Sequence, residues 1–164
     1  VQLIKTPTVL DELIDSVILK FKKRYPEQRV ELDIPNDVVI ISMDAILIEQ
    51  VIINILENAI HHAAGFTRLS LHVFTIDNKA IFEITDNGCG IPSEKLDRIF
   101  MGYSDKAENA SDTQARNAGI GLSVCATIVK AHGGDITAEN AKGGGAVFRF
   151  SLTTEDALDE QKQI

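Results

Sequence analysis

Apolar residues recur at helical spacing over residues 8–23, where Val9, Leu13, Val17 and Phe21 return every fourth position. Tyr25-Pro26 closes that predicted helix, because the residue before a proline avoids helical backbone. Alternation over 29–34 predicts a half-buried strand, Pro35-Asn36-Asp37 a turn, and 38–41 a second short strand. A long apolar helix follows, with Ser42 or Asp44 as its cap; it runs to about His62 and Gly65 stops it. Strands at 67–76 and 79–86 flank Asp77-Asn78, a hairpin signal. Residues 94–100 predict a short helix. Residues 101–118 carry few apolar side chains and many small or polar ones, which predicts a mobile loop of functional length. A helix at 120–131 ends in His132-Gly133-Gly134, and strands at 135–139 and 146–152 flank Gly143-Gly144-Gly145. A helix followed by two strands, three times over, predicts an α+β two-layer sandwich. Its mixed sheet has about five strands with three main helices on one face. Residues 1–153 are expected to form one domain and 154–164 an acidic, frayed tail.

The long helix carries a polar seam. Projected at about 100° per residue, Gln50, Asn54, Glu57, Asn58 and His61 share a sector, with His62 just outside it. Asn54, Asn58 and His61 stand at i, i+4 and i+7, in one row. A merely solvated face more often carries Lys, Glu or Arg, since asparagine is a mediocre helix former. Neutral amide oxygens suit a hard cation such as Mg²⁺, which takes one or two protein ligands beside substrate phosphates.

Two glycine clusters give that row something to face. Asp86-Asn87-Gly88-Cys89-Gly90-Ile91 follows a predicted strand, and Gly119-Ile120-Gly121-Leu122-Ser123 stands where a helix is predicted to begin. Glycine admits close backbone approach, and a helix N-terminus offers free N–H groups to phosphate. Glycine at a helix start is also common without any ligand. No GxxxxGK[ST] run, no GxGxxG after a first strand and no Gly-x-Ser-x-Gly elbow occurs. Asp86 shares the face of Phe82 and Ile84, so its carboxylate points to the buried side. A buried acid needs a donor. The exocyclic amine of adenine would supply one; the glycine turn itself is the other candidate.

Composition narrows the classes. The 164 residues carry a formal charge of −8, a poor balance for a nucleic-acid partner. Two cysteines, Cys89 and Cys125, make no disulfide framework and point to a reducing, cytoplasmic compartment. No apolar run approaches the roughly 20 residues of a membrane span, and no membrane contact is expected of this chain. Val1 is not an initiator Met, so a longer parent is expected, one able to carry a membrane anchor.

Taken in order, these segments resemble the boxes of a known family. The residues Gln50-Val51-Ile52-Ile53-Asn54-Ile55-Leu56-Glu57-Asn58-Ala59 are similar to its N box. Asp86-Asn87-Gly88-Cys89-Gly90-Ile91-Pro92 is similar to the G1 box, Ile99-Phe100 through Tyr103 to the F box, and Gly119-Ile120-Gly121-Leu122-Ser123 to the G2 box. The chain thus resembles the ATP-binding catalytic domain of bacterial sensor histidine kinases, in the superfamily that includes DNA gyrase B and MutL. Within it, VIINILENAIHHA, NGCGIP and IVKAHGGDITAEN look most like potassium-responsive, Kdp-type sensor kinases.

The resemblance implies ATP and Mg²⁺ between the long helix and a flexible lid, in the Bergerat (GHKL) fold. Asn58 would bind Mg²⁺ and Asn54 would support it. Asp86 would accept from the adenine amine, with Gly88, Gly90 and Ile91 shaping the base pocket. Gly119, Ile120, Gly121 and Leu122 would approach the phosphates from the hinge of the lid, and Phe100 would anchor the lid. His61 stands where many relatives have a phosphate-binding cation, and His62 where many have an aromatic near adenine. Asp105 lies where a lid Arg is frequent, so Lys106 or Arg116 would supply that charge. Asn117 replaces the usual first glycine of the G2 box. Hydrolytic relatives keep a glutamate base where this chain has Asn54, and an amide cannot serve as a base. The expected reaction is therefore phosphoryl transfer, with no catalytic side chain of its own, to a His on a separate dimerisation domain. The group would pass on to an Asp of a response-regulator receiver domain. Two other readings stand beside it: a stand-alone Ser kinase of the same fold, and a degenerate nucleotide-binding module.

Overall fold

The computed structural model describes residues 2–101 and 113–154, side chains excepted over 113–120. A first strand that the apolar spacing conceals, β1 (Thr6–Val9), runs directly into helix α1 (Leu10–Arg24). The predicted start at residue 8 is corrected by this: Thr8 and Val9 pair in a ribbon with Ile41 and Ile40. The Leu10 N–H donates to the Val39 carbonyl at 2.9 Å, fixing the turn from strand to helix. Leu10, Leu13, Ile14, Val17 and Phe21 form the buried stripe of α1. Acidic Asp11 and Glu12 open the helix and Lys22, Lys23 and Arg24 close it, each suited to the helix dipole.

Strands β2 (Glu31–Asp33), β4 (Leu69–Ile76), β5 (Lys79–Asp86), β6 (Ile136–Asn140) and β7 (Ala146–Thr153) build one sheet in the order β2-β4-β5-β7-β6. Only β2–β4 is parallel, so the sheet is mixed, with five strands as expected. Strand β3 (Ile40–Met43) belongs with β1 in a separate two-stranded ribbon. The hairpin at Asp77-Asn78 is present: both residues have positive φ, 50° and 61°, as a two-residue turn matching the strand twist requires. One face of the sheet is the core. Leu71, Ile84 and Phe148 stand in register on it, and Phe82 stacks on Phe150 with ring centroids 4.6 Å apart.

Helices α1, α2 (Ala45–His62) and α4 (Thr113–Ala131) pack with that face, with α2 in contact with both others. α3 (Ser93–Leu96) is shorter than the predicted 94–100 helix. Neither proposed cap of α2 makes a capping bond. Ser42 lies in β3, and Asp44 sits at the N-cap position but spends its carboxylate on the Ile4 N–H at 3.1 Å. The prediction for 113–118 was a loop, yet these residues are helical. Their small and polar side chains (Thr, Gln, Ala, Arg, Asn, Ala) leave no apolar period to read.

The C-terminal end of α4 is fastened to the start of α2 by His132, which is 5% exposed. Its Nδ1–H donates to the Ile128 carbonyl at 2.8 Å, and its Nε2 accepts from the Asp44 N–H at 3.0 Å. Both bonds require the neutral ring. Burial pushes its pKa below the ordinary 6.5, with Lys5 adding to the effect, against opposite pulls from the Ile128 carbonyl and Asp44. The unfolded chain therefore binds more protons as the pH falls below that value, and the folded state loses stability there. Thermal melts of the parent are expected to fall between about pH 7 and 5, and His132→Asn to flatten that slope. Equal slopes in both proteins would refute the assignment.

Candidate functional site

Asp86 ends β5, paired with Leu69 of the neighbouring strand, and is 5% exposed. Its Oδ1 accepts the Gly88 N–H at 2.9 Å. The carboxylate does cap the glycine turn, and no described residue donates to its second oxygen, which can take another donor. The loop that follows presses on the C-terminal end of α2. A Cβ on Gly88 would lie 2.8 Å from the Ala63 Cβ and 2.9 Å from its carbonyl oxygen, so only glycine lets the two segments meet. The Cys89 thiol reaches the His62 carbonyl at 3.8 Å. Asn87 fastens the loop to the stretch before β4: its Oδ1 accepts from the Thr67 and Arg68 N–H groups at 2.7 and 2.8 Å.

The polar seam of α2 divides between two neighbours, α4 and the C-terminal end of α1. Asn54 faces α4, where a Cβ on Gly121 would stand 3.8 Å from its Nδ2. Beneath it lies Cys125, fully buried, whose thiol points at the Val51 carbonyl. Burial pushes that thiol up to about 12, against a lowering hydrogen bond with Asn54, so it stays protonated. Glu57 turns the other way, to α1: it accepts from Arg24 at 2.9 Å and from the Tyr25 hydroxyl at 3.0 Å. Burial, then Glu57, raises the Tyr25 pKa. With its proton given to Glu57, Tyr25 can only accept from His61, whose Nε2 is 3.4 Å away. His61 is exposed and leans to the α1 side, away from the Asn54–Gly121 contact. The row is thus splayed. Asn54 sits against α4, and half-buried Asn58 is about 100° around the helix from Glu57.

Gly119, Ile120 and Gly121 lie within α4 and not at its N-terminus, because the helix starts at Thr113. The free N–H groups expected there are therefore engaged in helix, as the helical backbone requires. Leu122 is 3% exposed and part of the core. Phe100 packs edge-on against Phe148, ring centroids 6.2 Å apart, which suits an anchor for the segment after it. Half-buried His62 meets the loop through its carbonyl, which faces the Cys89 thiol, and Ile91 packs against the core. Asp105 and Lys106 lie outside the described residues, as do the side chains of Arg116 and Asn117. A cavity of about 320 Å³ opens elsewhere, lined by Asp37, Ile76, Asp77, Asn78 and Thr154 among others. It sits at the far end of β4–β5 from Asp86, seven residues or ~23 Å along the strand, and holds none of the motif residues.

The Gly88 loop thus meets α2 at its C-terminal end and Gly121 of α4 meets it at Asn54, along the half of the helix that carries the asparagines, and the comparison with known proteins agrees. The profile of the family described as histidine kinase-, DNA gyrase B- and HSP90-like ATPase matches residues 43–156. This chain belongs to that family. It is 35% identical over 151 residues to the Sensor protein KdpD of Clostridium acetobutylicum, covering 92% of this chain and 17% of that protein. The chain therefore spans a small part of that relative. Among solved structures, the nucleotide-free catalytic domain of histidine kinase ThkA superposes with a TM-score of 0.75 at 26% identity, over 92% of this chain and 97% of that one. The same kinase in complex with the response regulator protein TrrA gives 0.71 at 26%, over 92% and 42%. The Kdp-type likeness and the mixed-sheet fold are both borne out, and the chain is a histidine-kinase-type ATP-binding domain.

For a member of this ATPase family the donor set fits the nucleotide at the base end: a buried carboxylate with a spare oxygen, beside a loop from which Gly88 keeps side chains out. Asn58, on the same end of α2, offers the neutral oxygen that suits Mg²⁺. Sequence reasoning missed Asn87, Asn140 and the Arg24–Tyr25–Glu57 cluster. Asn87 reads only as turn chemistry. The cluster joins residues more than 30 apart in the chain and has no local signal.

Proposed function

We propose that this chain is the nucleotide-holding part of a sensor kinase that transfers the γ-phosphoryl group of ATP to a His on a separate dimerisation domain. Asp86 accepts from the adenine amine, Gly88, Gly90 and Ile91 line the base side, and Asn58 ligates Mg²⁺ with Asn54 behind it. Gly119, Ile120 and Gly121 of α4 stand at the phosphate side, with Leu122 packing beneath them in the core, Lys106 or Arg116 as lid cation and His62 near adenine, while His61, turned toward Tyr25, takes no part. Mg²⁺ supplies charge neutralisation on the phosphates. This chain's part is to bind and orient, the larger share of the work in phosphoryl transfer.

The observation that carries the choice of transfer over hydrolysis is the amide of Asn54 one helical turn before Asn58, where a hydrolytic base would stand. Glu57, about 100° around the helix from Asn58, is held by Arg24 and Tyr25 on the α1 side. The stand-alone Ser kinase and the degenerate module are not favoured by relatives that are sensor kinases. The proposed partners are the parent's own dimerisation domain, in a homodimer, and a response-regulator receiver domain. ThkA solved with TrrA supports the second. No described helix is long and apolar enough to cross a membrane, and the domain is proposed to work in the cytoplasm.

Calorimetric titration of Mg-ATP into the purified chain tests the reading. Saturable one-to-one binding is expected, with no steady-state ATP hydrolysis above background. Absence of binding at millimolar ATP would overturn it; rapid hydrolysis would overturn the assignment of transfer.

A further inference from the structure

Strand β6 ends at Asn140, and its side chain pairs with the backbone of Ile91, 49 residues away in the chain. The Ile91 N–H donates to Oδ1 at 2.7 Å, and Nδ2 donates to the Ile91 carbonyl at 2.8 Å. One amide thus uses a donor and an acceptor on a single residue of the base-side loop, as a neighbouring strand would. The bracket closes only over glycine at the preceding position. Gly90 has a φ of +80°, and a Cβ there would lie 2.9 Å from the Asn140 Oδ1.

The turn after Asn140 supports the same loop at its other end. The Ala141 N–H donates to the Gly145 carbonyl at 2.9 Å, and Gly145, with a φ of +90°, sits flush on the Asp86–Asn87 backbone. A Cβ at Gly145 would run into the Asp86 carbonyl oxygen and lie 2.8 Å from the Asn87 Cα. Residues 140–145 therefore touch the loop just after the Asp86 carboxylate and again at Gly90-Ile91. No other described side chain bonds to the Ile91 backbone. Asn140 is exposed to solvent, where such bonds add little to global stability. Their consequence is local, on the position of the loop.

We propose that Asn140 is a positioning residue of the nucleotide site: it holds Gly90-Ile91 so that the base side of the pocket is formed before adenine arrives. The inference rests on the ATP-binding reading above. A loop held in place avoids an ordering cost on binding, and that saving is lost when the bracket is removed. The defect belongs to the base side, so it falls equally on every adenine ligand, whatever phosphates it carries.

The test compares the parent chain with Asn140→Ala for ATP, ADP and adenosine by calorimetric titration, together with thermal melts. The variant is expected to lose about ten-fold in affinity for all three ligands alike. It should keep full stoichiometry and the parent's melting temperature. In that background Gly90→Ala should weaken binding less than it does alone, because its clash with Oδ1 is gone and only the backbone strain remains. Unchanged affinities, a loss confined to ATP, or a loss of stoichiometry and melting temperature at constant Kd would each overturn the inference. Failure of the ATP reading itself is seen separately, as a parent chain that binds none of the three ligands.

Discussion

Asn58→Ala leaves a folded chain that no longer binds ATP in a magnesium-dependent way. Asn58 is half-buried on α2, four residues from the C-terminal end of that helix. Alanine is the better helix former there, so the fold should hold or gain by ~0.5 kcal/mol. The loss is at the cation. Mg²⁺ keeps most of its waters and takes one or two protein oxygens, so removing the amide removes half or all of the protein's hold on it. Affinity in the presence of magnesium should fall by about a hundred-fold, to the level that both proteins show in a chelator. The melting temperature should not fall. A variant that still gains affinity from magnesium as the parent does would move the cation site off the α2 seam.

The hairpin and the polar seam were legible for a shared reason: each is written in neighbouring residues. Asp77-Asn78 tolerates the left-handed backbone that a two-residue turn demands, and the asparagine spacing follows from helix geometry alone. What projection cannot say is which neighbour each side of the helix meets. Glu57 and Asn58 are adjacent in sequence, yet Glu57 ends on Arg24 and Tyr25 of the α1 end while Asn54, a turn earlier than Asn58, meets Gly121 and Cys125 of α4. His61 was read into the nucleotide row and instead lies within reach of Tyr25. β1 was invisible because its partner β3 is some 30 residues away and its four residues merge with the apolar spacing of α1. Asn140 carries no signal at all in the sequence, since an asparagine before a glycine-rich turn is ordinary. Local chemistry could be read; long-range pairing could not.

Asp86→Asn should exchange one nucleotide preference for another. In the parent, Oδ1 takes the Gly88 N–H and the other oxygen remains as an acceptor, buried beside the glycine loop. Adenine presents an amine donor to that oxygen; guanine presents a carbonyl, which a buried carboxylate repels. The asparagine variant would keep its carbonyl on the Gly88 N–H, since that donor is fixed by the turn, and would therefore aim its NH₂ at the base. A donor then meets the amine of adenine, while the carbonyl of guanine gains a partner. Hydrogen bonds to charged groups are worth ~1.5–3 kcal/mol, so ATP affinity should fall by about a hundred-fold. The ratio of ATP to GTP affinity should shrink further, because GTP is relieved of repulsion in the same step. Competition titrations of both nucleotides against parent and variant measure the two effects together. If ATP binds the variant as tightly as the parent, the carboxylate does no more than cap the turn at Gly88, and the base must be recognised by the backbone of the loop instead.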